Sequence, residues 1–435
     1  MKYSIYNSLL RITDNSSILY NAMSDKFIIL SNQAEKDYQL CNLDILKDKN
    51  PILYNQLIET ESIVDENIDE VQEVKNRINN KILDDKTYHL HINPTLDCNF
   101  RCWYCYEKHQ VGSRMNYYVI TAVKEHIKHI IPTKPNLEFF SLSFFGGEPL
   151  MYFKSIAQPI IEFLEKECNE NNIGFKIHFT SNSFLLNGHI LHFLKNKNVS
   201  FQITLDGNRE NHDKTRFNTN NTGSYDRIIS NIKSLAKDSH EVILRINYTA
   251  SNIESIMEIT DDFKDLNNDF KPFISVNFQR GWQDKVNKEA QVDDKLRICI
   301  EKFLREGFRV TTHKVQNIVN SPCYADKKNH ILVNYNGDVY NCTARDFTEK
   351  NRTGILKKDG TIVWDKLPIT ERIKMKFNRA VCHKCRIAPI CGGGCLQREI
   401  ERAEKEGCLY DYNEQAINEK ILDRFEFMFI TNSRR

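Results

Sequence analysis

Six runs of apolar, β-branched or aromatic residues recur between residues 88 and 278, and longer segments with helical periodicity separate them. The runs are YHLHINP (88–94), LEFFSLSFF (137–145), FKIHFT (175–180), VSFQITL (199–205), EVILRINY (241–248) and PFISVNF (272–278). Strand and helix in alternation are typical of βα units and a parallel sheet. Six such units predict an α/β fold, an open and partial (βα)6 version of the TIM barrel.

Distinctive residues follow five of these six runs. Three cysteines follow the first run, GGEP (146–149) the second and TSN (180–182) the third. LDG (205–207) closes the fourth run, and Asn247 stands at the end of the fifth. Functional groups of such barrels gather at the carboxyl ends of strands, so we expect one site that contains these residues.

The chain shows no preference for nucleic acid or for a bilayer. Its formal net charge is +2 and its pI is about 7.9, and no basic stripe is interleaved with aromatic residues. The mean hydropathy is -0.53, and no apolar run is long enough to span a membrane. The first residues lack the pattern of a secretory signal. We therefore expect a soluble, cytoplasmic protein with neither a nucleic-acid nor a membrane partner.

Ten of the 13 cysteines fall into two groups, which in the cytoplasm favours metal binding or redox chemistry over disulfides. Cys98, Cys102 and Cys105 form a triplet with C-x3-C-x2-C spacing, and seven more lie between residues 323 and 408. Three thiolates from one loop can hold three irons of a [4Fe–4S] cluster and leave the fourth iron open. The alternative is a zinc site with a fourth ligand such as His109.

The chain divides into five predicted segments. The first includes a predicted strand at 26–32 and a predicted helix at 68–83, and the last includes a predicted helix at 417–430. The segments are a small α+β module that docks a peptide partner or caps the next domain (1–86), the partial barrel (87–290), a helical bridge (291–320), a cysteine-rich domain (321–412) and a C-terminal helix (413–435). Gly392, Gly393 and Gly394 are expected to turn the chain tightly inside the cysteine-rich domain.

The triplet, with Tyr104 before its third cysteine, resembles the signature of the radical S-adenosylmethionine (SAM) superfamily. GGEP resembles a motif of that family, and TSN, TLDG (204–207), HDKTR (212–216) and RIN (245–247) are similar to further pieces of its site. The resemblance implies that the triplet holds a [4Fe–4S] cluster whose open iron binds SAM. It also implies that SAM is split to a 5′-deoxyadenosyl radical, which removes a hydrogen atom from a substrate.

The same resemblance implies which side chains contact SAM. The candidates are Tyr104, Gly146, Gly147, Glu148, Asn182, Thr204, Arg216 and Asn247. The alternative for Glu148, and for Asp206, is a hydrogen-bonding scaffold at a strand end. His91, in the first run, is expected to be a hydrogen-bonded core histidine. No catalytic acid or base can be assigned from the sequence.

The seven C-terminal cysteines resemble a SPASM domain, which implies two auxiliary [4Fe–4S] clusters and three clusters in all. By that resemblance Cys382, Cys385, Cys391 and Cys408 ligate an outer cluster, and Cys323, Cys342 and Cys395 ligate an inner one. Relatives with an eighth cysteine carry it where this chain has Asn329 and His330. The inner cluster is therefore expected to have an open iron, or a ligand from elsewhere such as His330. Structural zinc is the alternative for the whole group.

The resemblance implies a maturase that crosslinks a ribosomally made precursor peptide through thioether or carbon–carbon bonds. An electron donor such as flavodoxin or ferredoxin is the second implied partner. A competing activity is that of an anaerobic sulfatase-maturing enzyme, which forms formylglycine, but such enzymes carry Asp where Thr343 follows Cys342. A non-catalytic iron–sulfur electron carrier or peptide-binding scaffold is the alternative from another class.

Overall fold

The computed structural model describes residues 1–281, 289–366, 369–402 and 406–432. The chain forms two compact units, which we call the first and second unit. The first unit contains Met1–Asp84, Lys314–Lys328 and Pro368–Arg435, and the second contains Asp85–His313 and Asn329–Leu367. No helix among the described residues is long and apolar enough to cross a membrane.

The first unit begins with a small sheet and four helices. The strands are β1 (Lys2–Tyr3), β2 (Asn7–Thr13), β3 (Ser16–Asn21), β4 (Lys26–Ser31) and β5 (Ile63–Val64), and the helices are α1 (Asn32–Leu40), α2 (Leu43–Lys49), α3 (Pro51–Glu59) and α4 (Glu70–Ile82). β2, β3 and β4 form an antiparallel sheet in chain order, and β1 pairs with β5. The predicted strand at 26–32 and helix at 68–83 are confirmed by β4 and α4.

Helix α4 is fixed by its cap and its apolar spacing. The Asp69 side chain accepts a hydrogen bond from the first turn of α4, which satisfies one of the unpaired N–H groups there. Val74, Ile78 and Ile82 recur at intervals of four residues, so they share one face, and all three are buried in the core of the first unit.

The described residues of the second unit form one eleven-stranded mixed sheet. Its strands are β6 (Thr87–Ile92), β7 (Phe139–Phe144), β8 (Gly174–Thr180), β9 (Val199–Leu205), β10 (Glu241–Tyr248), β11 (Ile274–Arg280), β12 (Arg309–Thr312), β13 (His330–Val333), β14 (Asp338–Tyr340), β15 (Gly354–Leu356) and β16 (Ile362–Trp364). Strands β6 to β11 are parallel neighbours in chain order, which confirms the six predicted strands.

The sheet extends beyond the six predicted strands on both sides. β12 pairs in parallel with β11, although the sequence between 291 and 320 predicts mainly helix. On the other side β13 pairs in parallel with β6, and β14, β15 and β16 continue antiparallel. These added strands are only three or four residues long, too short for a clear alternating pattern in the sequence.

Helices alternate with the parallel strands. They are α5 (Tyr117–Thr133), α6 (Gln158–Glu170), α7 (Gly188–Leu194), α8 (Arg209–Thr215), α9 (Tyr225–Lys237) and α10 (Glu289–Arg305). The first unit resumes with α11 (Ile369–Ile373), α12 (Ala380–His383), α13 (Ala388–Cys391), α14 (Leu396–Glu401) and α15 (Glu414–Asn432). α15 confirms the helix predicted at 417–430, while residues 433–435 of the predicted segment 413–435 lie outside the described residues.

The parallel strands have one apolar face and one polar face. Buried apolar residues alternate along β9 and β10 with partly buried polar ones, among them Thr204, Arg245 and Asn247. Arg245 pairs directly with Thr204 in the β9–β10 register, so these side chains share the polar face. His91 of β6 is hydrogen-bonded to His330 of β13 at 3.1 Å, as expected for a core histidine, and burial lowers the pKa of His91 to about 3.

The apolar face is held together partly by stacked aromatic rings. The Phe179 ring stacks on the Phe144 ring at 4.9 Å and on the Phe201 ring at 5.1 Å. We expect Phe179→Ala to lower the free energy of unfolding by about 3–5 kcal/mol, because the cavity removes both contacts. Denaturant midpoints from circular dichroism measure this loss. Tyr117→Ala is the control, since Tyr117 is 77% exposed, and equal losses in both variants would contradict the prediction.

Candidate active site

A cavity of about 470 Å³ lies in the second unit at the carboxyl ends of the parallel strands. It brings together ten of the predicted site residues. These are Cys98, Cys102, Tyr104, Cys105, Gly146, Gly147, Asn182, Thr204, Arg216 and Asn247. Residues separated by up to 149 positions in the sequence therefore surround one space, which is the arrangement that the strand-end positions predict.

The cysteine loop that follows β6 is fixed by its own main chain and by Asp97. The Asp97 carboxylate accepts hydrogen bonds from the Cys98 and Gly112 N–H groups, both at 2.8 Å. The Cys105 N–H donates to the Cys102 carbonyl at 3.1 Å, and the Cys98 sulfur accepts from the Phe100 N–H at 3.4 Å. The loop thus holds its conformation through bonds that leave its three thiols at the cavity wall.

The three thiols are free and electrostatically coupled. Burial raises the pKa of the Cys98 thiol to about 12, with smaller contributions from Glu148, Cys102 and Cys105. Burial also raises the pKa of Cys102 and of Cys105. A metal or cluster that binds these thiols would displace their protons, as in thiolate–metal sites generally. Three close thiols on one loop fit a [4Fe–4S] cluster that keeps one iron open.

No three Cys, His, Asp or Glu side chains among the described residues are arranged to hold a single metal ion, so the geometry does not favour zinc at His109. Its Nε2 lies 3.6 Å from the Cys105 sulfur, and burial lowers the pKa of His109.

Gly146 and Gly147 allow the turn after β7 to pack directly against the backbone that leads into the cysteine loop. The Gly147 N–H donates to the Thr95 carbonyl at 3.0 Å. A Cβ on Gly147 would lie 2.0 Å from the Asp97 carbonyl oxygen, and one on Gly146 would lie 2.3 Å from that of Thr95. Gly146 also has a φ of 104°, which side chains disfavour. These contacts give the two glycines a packing role that places Cys98.

Glu148 lies behind the cavity wall and does not line the cavity. It is fully buried, and its carboxylate accepts hydrogen bonds from the Ser181 hydroxyl and the Asn182 N–H, both at 2.7 Å. Asn182 in turn donates to Asn99 at 2.8 Å, and its amide nitrogen lies 3.9 Å from the Cys98 sulfur. Burial raises the pKa of Glu148. The contacts support the scaffold alternative for this residue.

Asp206 organises the other side of the cavity. Its carboxylate accepts hydrogen bonds from the Tyr104 hydroxyl at 2.6 Å, from Thr215 at 3.1 Å and from the Asn247 amide at 3.2 Å. Arg216 donates to the Tyr104 oxygen at 2.7 Å. One buried carboxylate therefore orients three candidates for SAM contact, a role that the sequence suggests only through the scaffold alternative for Asp206.

Arg216 has a donor that its neighbours do not satisfy. Its Nε is buried and, within the part of the chain that the structure describes, makes no hydrogen bond. An unsatisfied buried donor costs about 1–3 kcal/mol, so an anionic or carbonyl group in the cavity would remove this cost. The residues present therefore fit a ligand that carries a carboxylate, as SAM does.

Four cysteines of the C-terminal group lie close together in the first unit. Burial raises the pKa of Cys382 to about 12, and Cys391, Cys408 and Cys385 raise it further in that order. These four thiols are the set that the resemblance assigns to an outer cluster. Gly392, Gly393 and Gly394 all have positive φ angles, which confirms the tight turn expected there.

The cysteines assigned to an inner cluster are divided between the units. Cys323 and Cys395 belong to the first unit and Cys342 to the second. The Cys395 N–H donates to the Tyr410 hydroxyl oxygen at 3.1 Å. His330, the alternative ligand, has its Nε2 engaged with His91.

Sequence comparison agrees with this site. Residues 92–266 match the Radical SAM superfamily. A cysteine-type anaerobic sulfatase-maturating enzyme from Clostridium novyi is 30% identical over 170 residues, which are 36% of this chain and 42% of that relative. The matched stretch thus spans less than half of the relative's length.

Two solved structures share the fold. The first is native anSMEcpe with bound AdoMet and Cp18Cys peptide, at a TM-score of 0.59 and 19% identity over 80% of this chain and 98% of that one. The second is SuiB of Streptococcus suis bound to the precursor peptide SuiA, at a TM-score of 0.52 and 18% identity over 93% of this chain and 98% of that one.

Residues 92–266 are therefore similar to radical SAM domains, and part of the chain is similar in sequence to a sulfatase-maturating enzyme. The residues that match this family include the cysteine triplet, Tyr104, Arg216 and Asn247 of the cavity.

We expect Asp206→Asn to weaken SAM binding by about tenfold or more. The substitution removes the charge that orients Tyr104 and Asn247 and turns an acceptor of three hydrogen bonds partly into a donor. Equilibrium dialysis of the reconstituted protein with labelled SAM measures the affinity. Asp226→Asn, at an exposed surface ion pair, is the control. An unchanged SAM affinity in Asp206→Asn would show that the hydrogen bonds of Asp206 do not contribute to SAM binding.

Gly147→Ala is expected to reduce the iron content of the purified, reconstituted protein. The new methyl group would collide with the Asp97 carbonyl and displace the loop that carries the triplet. Gly188→Ala is the matched control, because a Cβ there meets open space. Iron and sulfide analysis checks the prediction, and equal iron loading in both variants would refute it.

Proposed function

We propose that this protein is a radical SAM maturase that oxidatively crosslinks a ribosomally synthesised precursor peptide through a thioether or carbon–carbon bond. The observation that carries the proposal is one cavity that joins the cysteine triplet, the Asp206 network and further open space lined by Arg245, Thr249 and Arg280. SAM and a peptide side chain would meet in that space.

The chain's own residues would have distinct tasks in this enzyme. Cys98, Cys102 and Cys105 would hold the cluster, and the SAM contacts would come from Tyr104, Gly146, Gly147, Asn182, Thr204, Arg216 and Asn247. With the cluster and SAM bound, the site would supply a 5′-deoxyadenosyl radical for hydrogen-atom removal. Glu148 and Asp206 would orient these residues rather than contact SAM themselves. Trp103 and Tyr106 line the same cavity and would limit access of water to it.

Peptide binding is supported by what the similar structures contain. The SuiB structure holds the precursor peptide SuiA, and the anSMEcpe structure holds the Cp18Cys peptide. We also propose that segment 1–86 is a peptide-binding module. The further segments would be the barrel (87–290), the bridge (291–320), the SPASM domain (321–412) and the C-terminal helix (413–435). An antiparallel sheet such as β2–β3–β4 can accept an extended peptide at its edge.

The C-terminal cysteines complete the proposed cofactor set. Cys382, Cys385, Cys391 and Cys408 would hold the outer auxiliary cluster, which their mutual proximity supports. Cys323, Cys342 and Cys395 would hold the inner one, and three clusters would then be present in all. Flavodoxin or ferredoxin would supply the electron that the radical reaction consumes.

Formylglycine formation is the second candidate activity. The 30% identity to the sulfatase-maturating enzyme of Clostridium novyi favours it. Thr343 after Cys342, and Asn329 and His330 in the place of an eighth cysteine, weigh against it. A non-catalytic electron carrier would have no use for an orphan Arg216 donor beside the triplet.

The test is anaerobic reconstitution, reduction and incubation with SAM and a candidate precursor peptide, followed by mass spectrometry of nucleoside and peptide. We expect 5′-deoxyadenosine and a peptide lighter by two hydrogens for each crosslink. Cys102→Ser, which removes one triplet thiol, should give neither product. An unmodified precursor together with formylglycine on a sulfatase peptide would establish the second candidate. No 5′-deoxyadenosine from iron-loaded protein would contradict both activities.

A further inference from the structure

The cavity contains a second cationic group that the SAM contacts do not explain. Arg245 projects from β10 onto the polar face of the sheet and lines the cavity, as does Arg280 at the end of β11. The hydroxyl groups of Thr249 and Ser251 line the same region. This wall of the cavity is therefore rich in hydrogen-bond donors.

Arg245 is held in place through a neutral partner. Its Nε donates to the Asn247 side-chain oxygen at 2.9 Å, and within the described residues its guanidinium forms no ion pair. Burial lowers the pKa of Arg245. A desolvated cation without an anion is costly, so a carboxylate that enters the cavity would gain the energy of pairing with it.

The charge of Asp206 acts on Arg245 and opposes the lowering of its pKa, but among the described residues no carboxylate is hydrogen-bonded to Arg245. Asp206 is the acidic group on the same side of the network, but its oxygens already accept from Tyr104, Thr215 and Asn247. Glu107, the other acidic residue of the cavity lining, lies on the cysteine loop. The described lining thus contains three arginines, Arg216, Arg245 and Arg280, against two carboxylates.

Arg216 and Arg245 make different hydrogen-bond contacts in the cavity wall. Arg216 lies close enough to contribute to the lowered pKa of Arg245, so the two guanidinium groups repel each other. Arg216 is joined to the Tyr104–Asp206 network, whereas Arg245 is joined to Asn247. The carboxylate of SAM would occupy only one of these positions, which leaves Arg245 for a second anionic group.

We infer that Arg245 is a specificity residue that binds a carboxylate of the substrate peptide, from an Asp or Glu side chain or from the C-terminus. The inference rests on the proposed function and adds a substrate class to it. The guanidinium fork matches a carboxylate through two parallel hydrogen bonds, which lysine cannot reproduce. Arg245→Lys should therefore bind substrate less well than the native enzyme, and Arg245→Met less well again.

The experiment uses reconstituted full-length enzyme and the synthetic precursor peptide in which each carboxylate is replaced singly, Asp by Asn, Glu by Gln and the C-terminal acid by its amide. One replacement should raise KM by about tenfold or more with native enzyme. The position of that replacement in the peptide identifies the source of the carboxylate. Arg245→Met should raise KM for the unaltered peptide to a similar degree and should no longer respond to that replacement. Arg305→Met, at an exposed pair with Glu301, should behave as the native enzyme does.

Three results would overturn the inference. One is an unchanged KM in both Arg245→Met and Arg245→Lys. Another is a precursor whose carboxylates can all be replaced without effect on KM. The third is a loss of SAM affinity in Arg245→Met, measured by equilibrium dialysis, because it would assign the guanidinium to the cofactor.

Failure of the proposed function would be distinguishable from failure of this inference. If the native enzyme modifies no peptide, saturation-transfer NMR with N-acetyl-aspartate amide and N-acetyl-asparagine amide still tests the anion position. Binding of the aspartate probe alone, and its loss in Arg245→Met, would uphold a carboxylate site. The inference would be overturned if both probes bind equally or if neither probe binds.

Discussion

The close approach of two loops is the constraint on which the site depends. The turn after β7 packs onto residues 95–97 so tightly that a Cβ on Gly147 would come within 2.0 Å of the Asp97 carbonyl oxygen. The next residue, Glu148, donates its N–H to that same carbonyl and accepts from Asn182 beyond β8. Loops from three neighbouring strands are thereby tied together behind the triplet, and the thiols reach the cavity on a rigid support.

The charged and titratable groups differ from one part of the cavity wall to another. Three thiols with raised pKa values line one wall, and a cluster held there would replace their protons. Asp206 joins Tyr104, Thr215 and Asn247, and through Tyr104 it also positions Arg216. Arg245, linked only to a neutral amide among the described residues, extends the cationic region toward open space. Under the proposed function, these regions would anchor cofactor and substrate separately within one cavity.

The sequence predicts the parts of this site that rest on strand register. The six alternating runs become β6 to β11, and their polar ends meet at one edge because parallel strands share a direction. It does not predict β12 and β13, which are short strands that depend on pairing with β11 and β6. The sequence also does not predict that Asp206 accepts hydrogen bonds from three side chains or that Arg245 lines the cavity. Both depend on side-chain contacts across strands. Gly146 and Gly147 can be recognised in the sequence. Their close contact with the backbone of residues 95–97 cannot, because it depends on how the two loops pack.

We propose that the triplet lacks a fourth cysteine because SAM takes that position on the cluster. Electron–nuclear double resonance on the reduced, reconstituted protein with SAM labelled with ¹⁵N at its amino group and ¹⁷O at its carboxylate tests this claim directly. SAM bound at the open iron would give hyperfine coupling of both labels to the cluster. The absence of any coupling, in protein that has bound both cluster and SAM, would contradict it.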